Sequence, residues 1–188
     1  MITRLACLSI LFVPTTILAQ ASLRQSIPGR YHLRVCHGPC TAQSLRAEGT
    51  LVLLPGGLRD AAGNVLHAQS GREPANGCFA FATLHRFGKT MLGSRQPGYL
   101  AWSLDPLTGE VRFDLVPDRV DAFYPVTLHA ARDGLAGEGR SVFDDQAPPP
   151  PPDIVFADRR GKADPATCDR LQKQWDVQCT GLSGARCH

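Results

Sequence analysis

The chain has 188 residues, a formal net charge of +3 at pH 7 and 20% charged residues. Its only adjacent cations are Arg159 and Arg160, so it lacks the clustered basic face that nucleic-acid binding requires, and no nucleic-acid partner is expected. A 43% hydrophobic content in a chain of this size supports one folded domain with a substantial core.

The N-terminal stretch MITRLACLSILFVPTTILAQA has the anatomy of a secretory leader. Arg4 gives a positive start, Leu5 to Leu18 is almost wholly apolar, and Ala19-Gln20-Ala21 is a small-x-small cleavage pattern. The apolar run is shorter than the roughly 20 residues a membrane-spanning helix needs, and Pro14 interrupts it. Residues 1–21 are therefore expected to be a signal peptide. The mature chain, from Ser22 onward, is expected to be periplasmic or secreted and not membrane-spanning.

Residues 22–147 read as a β-rich core domain. Tyr31 to Val35 alternates apolar and polar residues with period two, the pattern of a half-buried strand. Residues 49–55 form a more continuous apolar run. Further strands are expected over 78–84, with Phe79 and Phe81 on one face, and over 98–104, with Leu100, Trp102 and Leu104 together. The clearest alternation is 109–116, where Val111, Phe113 and Leu115 point inward and Arg112 and Asp114 face water. Tyr124, Val126 and Leu128 share a face in 122–130, and 134–143 is a glycine-rich final run. Asp105-Pro-Leu-Thr-Gly109 and Arg132-Asp-Gly134 supply the turn chemistry of tight hairpins. Residues 56–77 and 86–97 lack periodicity and read as long loops.

Five consecutive prolines at 148–152 cannot donate backbone hydrogen bonds and favour an extended spacer. Residues 153–188 follow as a C-terminal strand (Ile154 to Phe156), a short helix and a cysteine-rich tail packed on the core. Asp164 or Thr167 is expected to cap the helix over Cys168 to Trp175, with Leu171 and Trp175 forming its apolar face. The fold class expected from this order is mainly β, an antiparallel barrel or sandwich of seven to eight strands with a short C-terminal helix and a disulfide-stapled tail.

Beyond the leader there are six cysteines: Cys36, Cys40, Cys78, Cys168, Cys179 and Cys187. An even number in an exported chain reads as a disulfide framework. The expected pairing is Cys36–Cys40, Cys78–Cys168 and Cys179–Cys187, although spacing alone leaves other connectivities open. Within YHLRVCHGPCTAQS, the segment Cys36-His37-Gly38-Pro39-Cys40 resembles the Cys-Gly-Pro-Cys dithiol of thioredoxin-like oxidoreductases. His37 widens the spacing, and strand follows strand where a thioredoxin fold alternates strands with helices. The same pair, with His37, His85 or His129 as a third ligand, is similar to the copper site of Sco-type assembly proteins, since soft thiolates suit Cu(I). A thiol-redox or copper-handling role using Cys36, His37 and Cys40 is thus the alternative to a purely structural bridge.

Other catalytic patterns are wanting. No two histidines have metal-ligand spacing, and His32 and His129 are expected on the watery side of their strands. Residues 181–185 (GLSGA) lack the final glycine and the preceding strand of a nucleophile elbow. Asp144-Asp145 reads as a solvated turn. Glycines 137 and 139 weaken their strand and mark a barrel corner or a close approach; near Trp102, Phe113 and Tyr124 they leave room either for an apolar ligand cavity, as in lipocalin-like barrels, or for close packing. The expected role is a non-catalytic binding module for a small apolar ligand or an envelope protein partner, with no cofactor and no assigned catalytic residue.

Overall fold

Period-two alternation of apolar side chains builds one antiparallel sheet whose inner face becomes the core. In the computed structural model, the described residues are 26–55, 77–84, 97–105, 108–115, 122–143 and 151–180. The leader (1–21), most of both long segments read as loops, Asp144-Asp145, prolines 148–150, the GLSGA stretch and Cys187, with the expected Cys179–Cys187 bridge, lie outside them. The strands are β1 (Gly29–Cys36), β2 (Leu45–Leu53), β3 (Gly77–Leu84), β4 (Gly98–Leu100), β5 (Trp102–Leu104), β6 (Val111–Asp114), β7 (Ala122–Phe123), β8 (Pro125–Ala131), β9 (Gly134–Gly139), β10 (Val142–Phe143) and β11 (Asp153–Gly161). One helix follows, α1 (Pro165–Thr180).

Nine strands form a single sheet in the order β4-β3-β2-β1-β11-β9-β8-β6-β5, while β7 and β10 pair separately. The two edges of the large sheet, β4 and β5, are separated in the chain by Ala101 alone. The segment 98–104 therefore pairs with β3 through its first half and with β6 through its second. That shared segment makes the sheet a nearly closed antiparallel barrel. The expected barrel is thus observed, with nine strands rather than seven or eight. The count rises because segment 98–104 breaks at Ala101, where its hydrogen bonding passes from one neighbour to the other.

The C-terminal strand is longer and more central than Ile154 to Phe156 alone suggests. β11 lies between β1 and β9, pairing with both across most of its length. It is a stave of the barrel rather than an addition to it, and it joins the chain's first strand to its later ones.

The inner face is apolar and packed. Tyr31, Leu33 and Val35 from β1, Leu51 and Leu53 from β2, Phe79 and Phe81 from β3, Trp102 and Leu104 from β5, Val111 and Phe113 from β6, Val126 and Leu128 from β8, and Val155 and Ala157 from β11 form one buried cluster with Tyr124. The inward residues expected for 98–104, 109–116 and 122–130 are all buried. His129 is exposed, as expected. His32 is half-buried instead, because its Nε2 lies 2.7 Å from Glu48 Oε1 on the neighbouring strand.

One barrel end holds the start of β1 and the end of β11, and β2 leaves and β3 enters there. The turn at 132–133 lies there, as do Asp105, Gly109 and Glu110, whose backbones join β5 to β6, and Tyr31 meets Arg159 from the far end of β11. Arg159 stacks 5.6 Å from the Tyr31 ring centroid, and donates to the Tyr31 hydroxyl and to the carbonyls of Ser26 and Pro28. Burial pushes the Tyr31 hydroxyl above the ordinary phenol range, with the Arg159 charge opposing the shift.

Helix α1 is longer than Cys168 to Trp175 because its start is well specified. Asp164 Oδ1 accepts from the Ala166 N–H at 3.0 Å, and Pro165 occupies the first helical position. The Arg170 guanidinium beside Asp164, together with that backbone donor, holds the Asp164 carboxyl below its usual range. The helix covers the outer face of β2 and β3, where Cys168 and Leu171 pack with Val52, Leu54 and Cys78. The Cys78–Cys168 disulfide fixes it there, with a Cα–Cα distance of 5.7 Å. A second disulfide joins Cys36 to Cys40 across 5.2 Å. Such bridges belong to a chain that matures in oxidising surroundings. Among the described residues no helix is long and apolar enough to cross a membrane.

Candidate functional site

The strand register brings several connections to the end opposite the Tyr31–Arg159 contact, whereas the connection between β2 and β3 leaves Leu53 and returns at Gly77 on the Tyr31 side. Cys36 pairs with Leu45 and Ile154, Asp153 with Gly139, Gly139 with Val126, and Pro125 with Asp114. This mouth therefore receives the β1–β2 loop and the connections that follow β3, β6 and β9. Loops held by a rigid sheet are where binding residues concentrate.

The β1–β2 loop is the best defined of these connections. The Cys36–Cys40 bridge closes it, and Gly38 takes the positive φ (79°) that its turn needs. The His37 N–H donates to the Ser44 carbonyl at 2.8 Å. Thr41 and Ser44 form a compact second turn, in which the Thr41 N–H donates to Ser44 Oγ at 2.8 Å and the Ser44 hydroxyl donates to the Pro39 carbonyl. No helix forms after the cysteines: β2 begins at Leu45. The resemblance to a thioredoxin centre, which needs a helix N-terminus to activate its thiolate, therefore stops at the two cysteines.

Beneath this loop lies a buried carboxylate. Asp153 is 3% exposed, because the first residue of β11 points inward in line with Val155 and Ala157. Its Oδ2 accepts the Tyr124 hydroxyl at 2.6 Å. Its Oδ1 lies 3.1 Å from His37 Nδ1 and 2.9 Å from Arg46 Nε. A buried charge is tolerable only when paired and hydrogen-bonded, and here one carboxylate engages three partners from three other segments. Burial, reinforced by the hydrogen bond to Asp153, drives the Tyr124 hydroxyl far above the usual phenol range, so it stays a donor.

Above the carboxylate opens a cleft of about 390 Å³ lined by His37, Pro39, Thr41, Gln43, Ser44 and Arg46. Its size falls in the range of small-molecule sites, about 300–1,000 Å³. His37 is half exposed, while the Arg46 side chain is 10% exposed and leans on Asp153. The described lining of the cleft thus comes from the β1–β2 loop and the start of β2, with Arg46 and His37 backed by Asp153 of β11.

The residues that the sequence suggests for an apolar cavity sit elsewhere. Trp102, Phe113 and Tyr124 lie inside the barrel, at most 5% exposed. A methyl group on Gly139 would stand 2.5 Å from the Tyr124 ring, so that ring occupies the space above this glycine. At Gly137 it would meet the Thr127 carbonyl at 2.0 Å, so this glycine serves the close approach of β8 and β9. The Trp102 indole N–H donates to the Leu54 carbonyl at 2.9 Å. Gly139→Ala is accordingly expected to displace Tyr124 from Asp153 and to cost about 1–3 kcal/mol of stability, the usual penalty for overpacking. Urea unfolding followed by tryptophan fluorescence measures this; a loss within experimental error would show that Tyr124 yields without strain.

The Cys36 and Cys40 sulfurs are joined to each other, and His37 is turned to Asp153. Among the described residues no three or more His, Cys, Asp or Glu side chains are grouped to hold a metal ion. His85, a further ligand considered for copper, lies outside the described residues. Reasoning from sequence missed Asp153, Tyr124 and Arg46 as a group. Position 153 follows the prolines and precedes the strand expected from Ile154, so no local pattern marked it. Comparison with family models, with curated proteins and with solved structures finds no match to the chain.

Proposed function

We propose that this chain is an exported, disulfide-stabilised binding domain without a catalytic role, and that its ligand docks in the cleft at the mouth rather than inside the barrel. The observation that carries this reading is the cleft itself: small-molecule sized, walled by a disulfide-closed loop and lined by Arg46, which is ion-paired to the buried Asp153. A loop fixed by a bridge and by internal hydrogen bonds loses little conformational entropy when it binds. The packing of Tyr124 over Gly139, and of Trp102 and Phe113 within one apolar cluster, supports the mouth over the interior as the place for a ligand. Filled interiors are common in barrels of this size.

Export rests on the leader-like N-terminus and agrees with the two bridges. The rival role, thiol exchange or copper handling by Cys36 and Cys40, requires that bridge to open under mild reduction.

One experiment addresses both. The full chain is exported to an oxidising periplasm, purified with its bridges intact and labelled with ¹⁵N. It is then screened by amide NMR against a set of small neutral and charged fragments. The expected result is a set of shifts confined to residues 37–46 and Asp153, seen only while Cys36 and Cys40 are joined. Shifts centred on Trp102, Phe113 and Gly137 would place the ligand in the barrel and overturn the reading. So would a mass-tagged alkylator that labels Cys36 and Cys40 in the protein as purified.

A further inference from the structure

The cleft is unbalanced in its chemistry. Of the six described residues that line it, two carry ionisable groups, His37 and Arg46, and none of the six is acidic. The nearest described carboxylate, Asp153, is buried below and already engages Tyr124, His37 and Arg46. The other described lining groups are the Gln43 carboxamide, the Thr41 and Ser44 hydroxyls and the Pro39 ring.

We infer that the ligand of this cleft is a small organic carboxylate, with its anionic head at Arg46 and His37 and its apolar body against Pro39. This rests on the reading of the cleft as the binding site and adds the class of ligand. A planar guanidinium matches a carboxylate better than any other side chain does. Arg46 is nine-tenths buried and anchored through Nε on Asp153, so little side-chain freedom remains to be lost when an anion arrives. His37 is anchored in the same way: Nδ1 is committed to Asp153, which fixes the ring and leaves Nε2 as its other polar atom. When protonated, that ring donates from both nitrogens, one to Asp153 and one to the ligand. Asp153 thus acts as a positioning residue for two groups from different segments, while burial keeps it out of the ligand's way. The Pro39 ring, exposed at the rim and held by the bridge at Cys40, gives a rigid apolar contact at no cost in rotamer entropy.

The test compares two probes of one shape, sodium benzoate and benzamide, titrated into the oxidised full chain in one buffer. Binding is mapped by amide NMR and quantified from the shifts. Benzoate is expected to bind at least about tenfold more tightly than benzamide, as charge-assisted hydrogen bonds to an anion require, with shifts at residues 37–46. His37→Gln keeps a donor for Asp153 but cannot carry charge, and is expected to lose several-fold in benzoate affinity alone. Arg46→Gln by itself strands a buried carboxylate and risks unfolding. The pair Arg46→Gln with Asp153→Asn removes both charges together, and is expected to bring the benzoate-to-benzamide ratio close to one. Equal binding of both probes at residues 37–46 of the unaltered chain would overturn the carboxylate class and leave the cleft as the binding site. No perturbation of 37–46 by either probe would overturn the cleft reading and this inference with it.

Discussion

Asp153→Ala lowers the stability of the barrel by about 3–5 kcal/mol, the loss expected when one partner of a buried ion pair is removed and the other is left uncompensated. The carboxylate accepts the Tyr124 hydroxyl, lies against His37 Nδ1 and forms an ion pair with Arg46, and Arg46 is too deeply set to turn its charge fully to water. Removing it strands a cation beside the apolar interior and leaves the Tyr124 hydroxyl, itself buried, without its acceptor. Asp153→Asn keeps an acceptor for Tyr124 and is expected to cost less. The double variant Asp153→Leu with Arg46→Met is expected to recover most of the loss, because both buried charges disappear together. Urea unfolding followed by Trp102 fluorescence reads all three. Single-variant losses below about 1 kcal/mol, the level of an exposed pair, would show that the mouth is open to water around Asp153.

The second large effect is expected at the bridge between β3 and the helix. Cys78 and Cys168 are 90 residues apart in sequence, so by chain-entropy reasoning their bond is worth about 4–5 kcal/mol. The Cys36–Cys40 bond closes a loop with a separation of 4 and is worth about 2 kcal/mol on the same scale. Replacing Cys78 and Cys168 together by alanine is therefore expected to cost about twice as much as replacing Cys36 and Cys40. The two tryptophans separate the consequences, since Trp102 lies in the barrel and Trp175 on the helix. With the long bridge gone, helix α1 keeps only Leu171 and its neighbours against Val52 and Leu54. The Trp175 signal is then expected to melt before that of Trp102, whereas the native protein unfolds with both together. Coincident transitions in the variant would mean that packing alone holds the helix and that the bridge acts only on the unfolded chain.

The two bridges also divide the molecule by purpose. The buried one ties the last element to the body of the barrel. The short one shapes a surface loop, and its removal is a change to the cleft more than to the fold.

The sequence by itself determined the elements and their faces. Alternation with period two marks Val111, Phe113 and Leu115 as inward and Arg112 as outward, because the burial of each depends only on its neighbours along one strand. Asp164 and Pro165 specify the start of the helix for a similarly local reason. Only the tertiary structure decided how those elements close. That segment 98–104 serves both seams of the barrel, and that β11 lies between β1 and β9, are matters of long-range register. The sequence also offered two uses for the space above Gly137 and Gly139. The Tyr124 ring fills it at one, and the β8 backbone closes it at the other. The mouth was the least legible part. His37, Arg46, Tyr124 and Asp153 are scattered along the chain; local pattern marks His37 only beside two cysteines and Tyr124 only as an inward residue, and the four meet only because four strands end at the same rim. Periodicity is a property of one strand, whereas a buried carboxylate with three partners is a property of the closed barrel.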